Sequence, residues 1–368
     1  MSGPPNDATE TFASRLIAWQ ATHGRHDLPW QGTRDAYRVW LSEIMLQQTQ
    51  VGTVIPYFAR FLDRYPSVAD LAAARIEAVL ELWAGLGYYA RARNLHRCAQ
   101  IVVAEQGGYF PEQPSVLAEL PGIGRSTAAA IAAFAFGVRA AILDGNVKRV
   151  LARCFGIEGF PDSAKKAEEA MWTLAESLLP AEGIEAYTQG IMDLGATLCT
   201  RSKPRCDDCP MYEICIARRE ERQAQLPTAK VKKIVPERET TMLLLSDGQR
   251  VLLERRPPTG IWGGLLAPPE VGAEAVDSYV RRFGARLLAV TVLPPLKHSF
   301  THFRLTIRPL WCAVEVTGHV VAEPGWEWLN LNSIKSAALP APILKLLLQA
   351  NPRQAALVLD LQEYPNKT

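Results

Sequence analysis

The chain has 368 residues, 48% of them hydrophobic, and its 40 Lys and Arg nearly cancel its 38 Asp and Glu to leave a net charge of +2. That length suits two or three domains. The charge balance excludes a uniformly basic nucleic-acid binder, so any basic face must come from segregation of charge. No apolar run reaches the ~20 residues of a membrane helix; the longest, Ala128–Val138, ends at Arg139. The polar start, with Pro4, Pro5, Asn6 and Asp7, lacks a signal layout, so a soluble cytoplasmic protein is expected. Of the 7 cysteines, Cys98, Cys154 and Cys312 are scattered and read as buried thiols, while Cys199, Cys206, Cys209 and Cys215 are clustered. An odd count in such a chain argues against a disulfide framework.

In chain order, residues 1–10 read as disordered. A helix follows with Phe12, Leu16 and Trp19 on one face, broken by Asp27-Leu28-Pro29-Trp30. Asp35–Gln50 reads as a second helix, carrying Glu43 among Trp40, Ile44 and Leu46 and ending in Gln47-Gln48-Thr49-Gln50. Further helices fit Val54–Tyr65, stopped by Pro66, and Ile76–Ala84, stopped by Gly85 and Gly87. Tyr88–Ala104 has no acid but carries Arg91, Arg93, His96 and Arg97. Two short helices flanking Pro121–Gly124 make a helix-hairpin-helix, and helical patterns continue through Ala164–Leu179 and Glu185–Leu198. Strand-like runs begin only after a charged linker, residues 226–238. Thr241–Leu245 and Arg250–Leu253 flank a Ser246-Asp247-Gly248 turn as a hairpin; Leu287–Val292 and Phe303–Val316 also read as strands. Ala273–Phe283 and Ile334–Leu348 read as helices. The predicted organisation is a helical domain over 1–225, the linker, and an α+β domain over 239–368.

The most informative stretch is Leu120–Cys154. Pro121-Gly122-Ile123-Gly124 opens an Ala-rich helix, a turn type that can hold a phosphate on backbone amides. Between Glu119 and Glu158 the only acid is Asp144, among Arg125, Arg139, Lys148, Arg149 and Arg153. This predicts a DNA grip followed by a catalytic acid, although Asp144 before Gly145-Asn146-Val147 also suits a helix N-cap. The clustered cysteines follow C-x6-C-x2-C-x5-C. Four thiolates in one tight loop suit a [4Fe–4S] cluster better than structural zinc, which prefers well separated C-x2-C arms.

Together, Leu28-Pro29-Trp30, Ser42–Thr49, Gly85–Tyr89, Leu120–Thr127, Asp144–Val147 and the four cysteines, in this order, resemble the adenine DNA glycosylases of the MutY family. These belong to the helix-hairpin-helix superfamily that includes endonuclease III. The resemblance spans almost the whole chain. It implies an all-α helix-hairpin-helix glycosylase domain with an iron–sulfur loop, and excision of adenine mispaired with 8-oxoguanine (or guanine) in double-stranded DNA. Breaking an adenine glycosidic bond needs an acid for the leaving base and a carboxylate for the oxocarbenium-like sugar, a division of labour seen in sugar hydrolysis. The resemblance places the acid on Glu43 and the stabilising carboxylate on Asp144. It also implies Gln48 and Tyr88 as wedges, with Leu86, Thr49 on the opposite base, and Trp30 and Leu46 near the extruded adenine. Gln31 and Gln189 would make polar contacts there, and Gly122, Gly124 and Asn146 would lie on the DNA. Where the lyase branch carries a lysine, this chain has Ser126, which implies a glycosylase with little strand cleavage.

The C-terminal domain resembles a Nudix domain through Gly260-Ile261-Trp262-Gly263-Gly264 and its strand pattern. The helix after Gly272 offers only Glu274 and Asp277 where a catalytic Nudix helix clusters acids on magnesium, so no pyrophosphatase activity is expected. By resemblance this domain recognises 8-oxoguanine through Phe300-Thr301-His302, with threonine where the family has serine. The expected protein is a bacterial, nucleoid-associated monomer without a membrane partner, with other repair proteins left open as partners. Two rival readings are a bifunctional glycosylase/lyase of the endonuclease III type and a non-catalytic iron–sulfur DNA-binding protein.

Overall fold

The computed structural model describes residues 6–158, 165–228, 235–271, 276–300, 302–316 and 325–350. Thr301, Glu274 and residues 229–234 of the charged linker lie outside the described residues. No helix among the described residues is long and apolar enough to cross a membrane. The chain forms two compact units: residues 1–73 with 94–232, and residues 74–93 with 233–368. Residues 74–93, which chain order alone would assign to the helical part, thus group with the C-terminal residues.

The first unit is helical. α1 spans Asn6–His23, so the helix begins inside the stretch read as disordered. α2 covers Ala36–Leu46, capped by Asp35, whose carboxylate accepts from the Tyr37 and Arg38 amides. It stops four residues before the predicted Gln50, because Gln48 turns left-handed at φ 57°. α3 (Val51–Arg64) starts earlier than predicted and carries Pro56 in its second turn, where the missing N–H removes one i→i−4 hydrogen bond. α4 is the unpredicted Val68–Ala73. α5 (Ile76–Trp83) belongs to the second unit, and α6 (Ala90–Gln106) begins there and runs into the first. α7 (Pro114–Leu117) and α8 (Arg125–Phe136) form the helix-hairpin-helix. α9 (Gly145–Cys154), α10 (Lys165–Ser177) and α11 (Ile184–Asp193) follow, and α12 is Ile216–Arg219.

The core of this unit explains its small residues. Ala129, Ala130 and Ala133 of α8 are buried with Phe12, Leu16, Val147, Leu151, Tyr187 and Ile191. A left-handed Gly137 at φ 69° ends α8, its amide donating back to the Ala132 and Ala133 carbonyls. α11 continues as a π-helical turn, Leu194–Leu198, where the sequence predicted one continuous helix. Gly195 lies in this turn against α9: a Cβ there would stand 2.7 Å from the Asn146 Cβ.

In the second unit, β1 (Glu237–Ser246), β2 (Arg250–Arg255), β3 (Leu266–Ala267), β4 (Ala285–Val292), β5 (Leu296–Ser299), β6 (Arg304–Val316) and β7 (Trp326–Asn330) form one mixed sheet. Its order is β3-β2-β1-β6-β4, with β5 on β6 and β7 on β2. Among the described residues only β1 and β6 run parallel, from Glu237↔Arg304 to Ser246↔Ala313. The predicted β1–β2 hairpin forms: Asp247 accepts from the Gln249 and Arg250 amides, and Gly248 takes φ 88°. β1 begins at Glu237, inside the predicted linker. β3, β5 and β7 are short and escaped the periodicity. α13 (Val276–Arg282) covers Leu243, Leu245, Cys312 and Val314 with Val280 and Phe283, and α14 is Ala341–Ala350, shorter at its start than predicted. Asp277 of α13 pairs with Arg281.

Gly195→Ala will lower stability by about 1–3 kcal/mol through overpacking against Asn146. Chemical denaturation measures it, and a neutral result would mean that α9 and the π turn separate freely.

Candidate active site

α2 carries Glu43 into a pocket of about 600 Å³ in the first unit. Its wall includes Trp30, Gln31, Leu46, Ser42, Gln189 and Met192. Trp30 is nearly buried, edge-on to Phe58 at 5.4 Å. Gln31 closes the loop below it, donating to the Arg25 carbonyl at 2.9 Å and accepting from the Leu28 amide at 3.1 Å. Four of the predicted residues therefore join Glu43 around one pocket.

Asp144 caps α9, its Oδ1 accepting from the Val147 amide at 2.8 Å. Both readings of this residue can hold, because the cap fixes the carboxylate at the positive end of the helix. Burial, and then the charge of Asp144, pushes Glu43 from 4.5 up to about 8. Burial also raises Asp144, but there the Val147 and Asn146 amides, Arg149 and Lys148 pull the other way. Glu43 has no such opposing partner among its causes. The pair therefore holds its proton on Glu43 and its negative charge on Asp144. Ser126, at the position of the lyase lysine, accepts from the Leu143 amide at 2.9 Å and so steadies the residue before Asp144.

The hairpin places Gly122 at φ 82°, where a Cβ would also stand 2.9 Å from the Asn94 Cβ. Gly124 is the N-cap of α8 with no side-chain cap, and a Cβ there would meet nothing within 4 Å. Gln47 donates to the Gly122 carbonyl at 3.3 Å, tying the end of α2 to this hairpin. Gln48 is exposed and left-handed beside Thr49 on the turn between α2 and α3.

The cations around Asp144 are largely engaged within the protein. Arg139 donates to the Leu179 and Pro180 carbonyls. Arg125 pairs with Glu176 over the Trp172 ring, and Lys148 pairs with Glu168. Arg149 donates to the Cys199 and Gly195 carbonyls and to the Asn146 Oδ1. Arg153, 3% exposed, holds the Leu226, Thr200 and Arg201 carbonyls and the Cys199 Sγ. α9 thus bears the carboxylate at one end and grips the cysteine loop along its length.

Cys199, Cys206, Cys209 and Cys215 line one pocket with Val150, Leu194 and Leu198. Among the described residues no three His, Cys, Asp or Glu side chains gather to hold a single ion. Four thiolates around one apolar space, with N–H donors from Arg153 at 3.3 Å and Gln223 at 3.9 Å, fit a multi-iron cluster. These cysteines would hold the cluster, which supplies a rigid brace for the loop.

The sequence reading missed Asp193. It is fully buried, pairs with Arg25 at 2.6 Å and accepts from the Gln189 amide at 2.8 Å. An acid four residues after Gln189 on a buried helix face was the signal. In the second unit, Leu86 is buried and Tyr88 is 52% exposed at φ 50°. Phe300 closes the β5–β6 turn, its amide donating to the Phe303 carbonyl at 2.9 Å while its ring packs on Trp262 and His298. His302 is exposed in that turn.

The model of the HhH-GPD superfamily of base excision DNA repair proteins matches residues 41–177, that of the iron-sulfur binding domain of endonuclease III matches 199–215, and a NUDIX domain matches 240–349. The chain carries a [4Fe–4S] cluster and binds DNA. Its relatives include an adenine DNA glycosylase of Buchnera aphidicola subsp. Baizongia pistaciae, 35% identical over 92% of this chain and 96% of that protein. The adenine DNA glycosylase of Homo sapiens is 33% identical over 91% of this chain and 73% of its own length. A thermostable thymine-DNA glycosylase structure aligns at TM-score 0.53 with 31% identity, covering 58% of this chain and 98% of that one. An endonuclease III–DNA complex shares the fold at TM-score 0.51 and 20% identity, over 59% of this chain and 98% of that one. The chain belongs to the family of adenine DNA glycosylases.

A raised carboxyl contributes stability that is fully present below its unfolded value and is lost as pH rises through its folded value, here about 8. Glu43→Gln cannot ionise, so its melting temperature will gain on that of the unchanged chain as pH rises from about 5 to 9. A difference in melting temperature that stays constant over that range would show that Glu43 ionises readily.

Proposed function

We propose that the chain excises adenine paired with 8-oxoguanine, or with guanine, in duplex DNA, as a monofunctional glycosylase. The observation that carries this reading is the place of Glu43 in a pocket wall, where burial and the charge of Asp144 push its carboxyl up to about 8. A base must leave the stack to be cut, and unpairing is cheaper at a mismatch. Adenine enters between Trp30 and Leu46. Gln189 gives its amide N–H to Asp193, which turns its carbonyl oxygen toward acceptor work on the exocyclic amine of adenine. Gln31 offers a further polar edge.

Glu43 protonates the departing base and then takes a proton from the attacking water. Asp144 stabilises the oxocarbenium-like sugar, electrostatically or by transient attachment. Ser126 supplies no amine for a Schiff base, so strand cleavage is minimal and borohydride traps no complex. The hairpin amides at Gly122 and Gly124 hold phosphate, with Asn146 on α9 also on the DNA. Gln48, Leu86 and Tyr88 fill the gap left by adenine, and Thr49 bonds the opposite base. Phe300, Thr301 and His302 read the oxidised guanine. The enzyme acts as a cytoplasmic monomer on DNA.

Glu43→Gln will lower single-turnover adenine release by at least about 10²-fold while mismatch binding survives. Unaltered release would remove Glu43 from the chemistry. In the unchanged chain kcat/KM will fall as pH rises through about 8, where Glu43 loses its proton; a rate that climbs through that range would assign the acid elsewhere.

A further inference from the structure

The loop bearing Tyr88 is built by the second unit. Gly85 and Gly87 take φ 101° and 72°, and Tyr88 itself takes φ 50°. A left-handed conformation at a bulky residue persists only where its surroundings over-determine it. The Tyr88 ring is half exposed and provides little of that constraint. From behind, Trp83 Nε1 donates to the Gly87 carbonyl at 3.0 Å. The nearly buried Arg91 donates to the Leu86 and Gly87 carbonyls, both at 3.2 Å. Its guanidinium lies 5.1 Å from the Trp83 ring and 5.6 Å from the Tyr88 ring.

The residues that follow tie the loop to the C-terminal part of the same unit. The Tyr89 hydroxyl donates to the Leu339 carbonyl at 3.1 Å. Arg93 Nη1 donates to the Gly263 carbonyl at 2.7 Å. Gly264 leaves room for the Leu80 methyl, which a Cβ would meet at 3.3 Å. Gly263 has no freedom of its own, since a Cβ there would lie 2.4 Å from the Pro258 carbonyl oxygen.

We propose that Tyr89 is a positioning residue: its bond to the Leu339 carbonyl, together with Arg93 on Gly263, holds the Tyr88 loop in the left-handed form that engages DNA. This rests on the reading of Tyr88 as a wedge. The C-terminal residues thereby act on recognition twice, through the β5–β6 turn and by presetting a loop that precedes them by more than a hundred residues in the chain. Losing one such bond lowers the population of the competent loop, and apparent affinity falls by that fraction. Net loss of one hydrogen bond corresponds to about threefold to tenfold.

The test is a double-mutant cycle on the full-length, cluster-loaded protein: unchanged, Tyr89→Phe, Tyr88→Ala, and both. Affinity is read on a duplex carrying 8-oxoguanine opposite a non-cleavable adenine analogue, and adenine release is read at saturating enzyme. Tyr89→Phe keeps the ring and removes only the hydroxyl, so folding is retained, and melting temperature checks this. The expected result is a threefold to tenfold loss of affinity with the saturated rate nearly unchanged, and no further loss when Tyr88 is already alanine. Equal losses in both backgrounds, or no loss with Tyr88 present, overturn the positioning role and leave the wedge reading standing. If Tyr88→Ala alone changes neither affinity nor release, the wedge reading itself falls.

Discussion

Two carboxylates share a poorly solvated place, and their unequal surroundings decide what each can do. Glu43 on α2 is raised to about 8 by burial and by the neighbouring charge. Asp144 is also raised by burial, yet it sits at a helix N-terminus, accepts the Val147 amide and feels Arg149 and Lys148. Such a pair titrates as a unit, and the lower cost of charge on Asp144 leaves the proton on Glu43. One acid and one anion, separated by environment and not by residue type, is the arrangement that cleavage of a glycosidic bond requires.

The rest of the first unit keeps that asymmetry in place. Asp144 is only as fixed as α9, and α9 is fastened by Arg149 and Arg153 to the backbone of the cysteine loop. Ser126 ties α8 to the residue before Asp144, and Gln47 ties α2 to the hairpin. Charged hydrogen bonds to buried carbonyls are stronger than neutral ones. The cations therefore stiffen the site from within.

Much of this was legible along the chain. The hairpin glycines, the spacing of the cysteines, the lone Asp144 and the β1–β2 turn are local chemistry, and each was found where it was expected. Glu43 was legible as an acid among Trp40, Ile44 and Leu46, but its raised carboxyl depends on Asp144, about a hundred residues away in the chain. The end of α2 was misjudged because Gln48 adopts a left-handed backbone that nothing in its side chain announces. β3, β5 and β7 were missed because two to five residues cannot show a period.

The amino-acid sequence by itself determined the helical and mixed halves, the phosphate-type turn, the cysteine set and the serine in place of a lyase amine. All of these are properties of a few neighbouring residues. Only the tertiary structure decided which cations remain available, that Asp193 orients Gln189, and that residues 74–93 join the C-terminal residues in one compact unit. The physical reason is that ion pairing, burial and the holding of a strained loop are set by partners distant in the chain. A residue's type records what it can bond, whereas its fold supplies the partner.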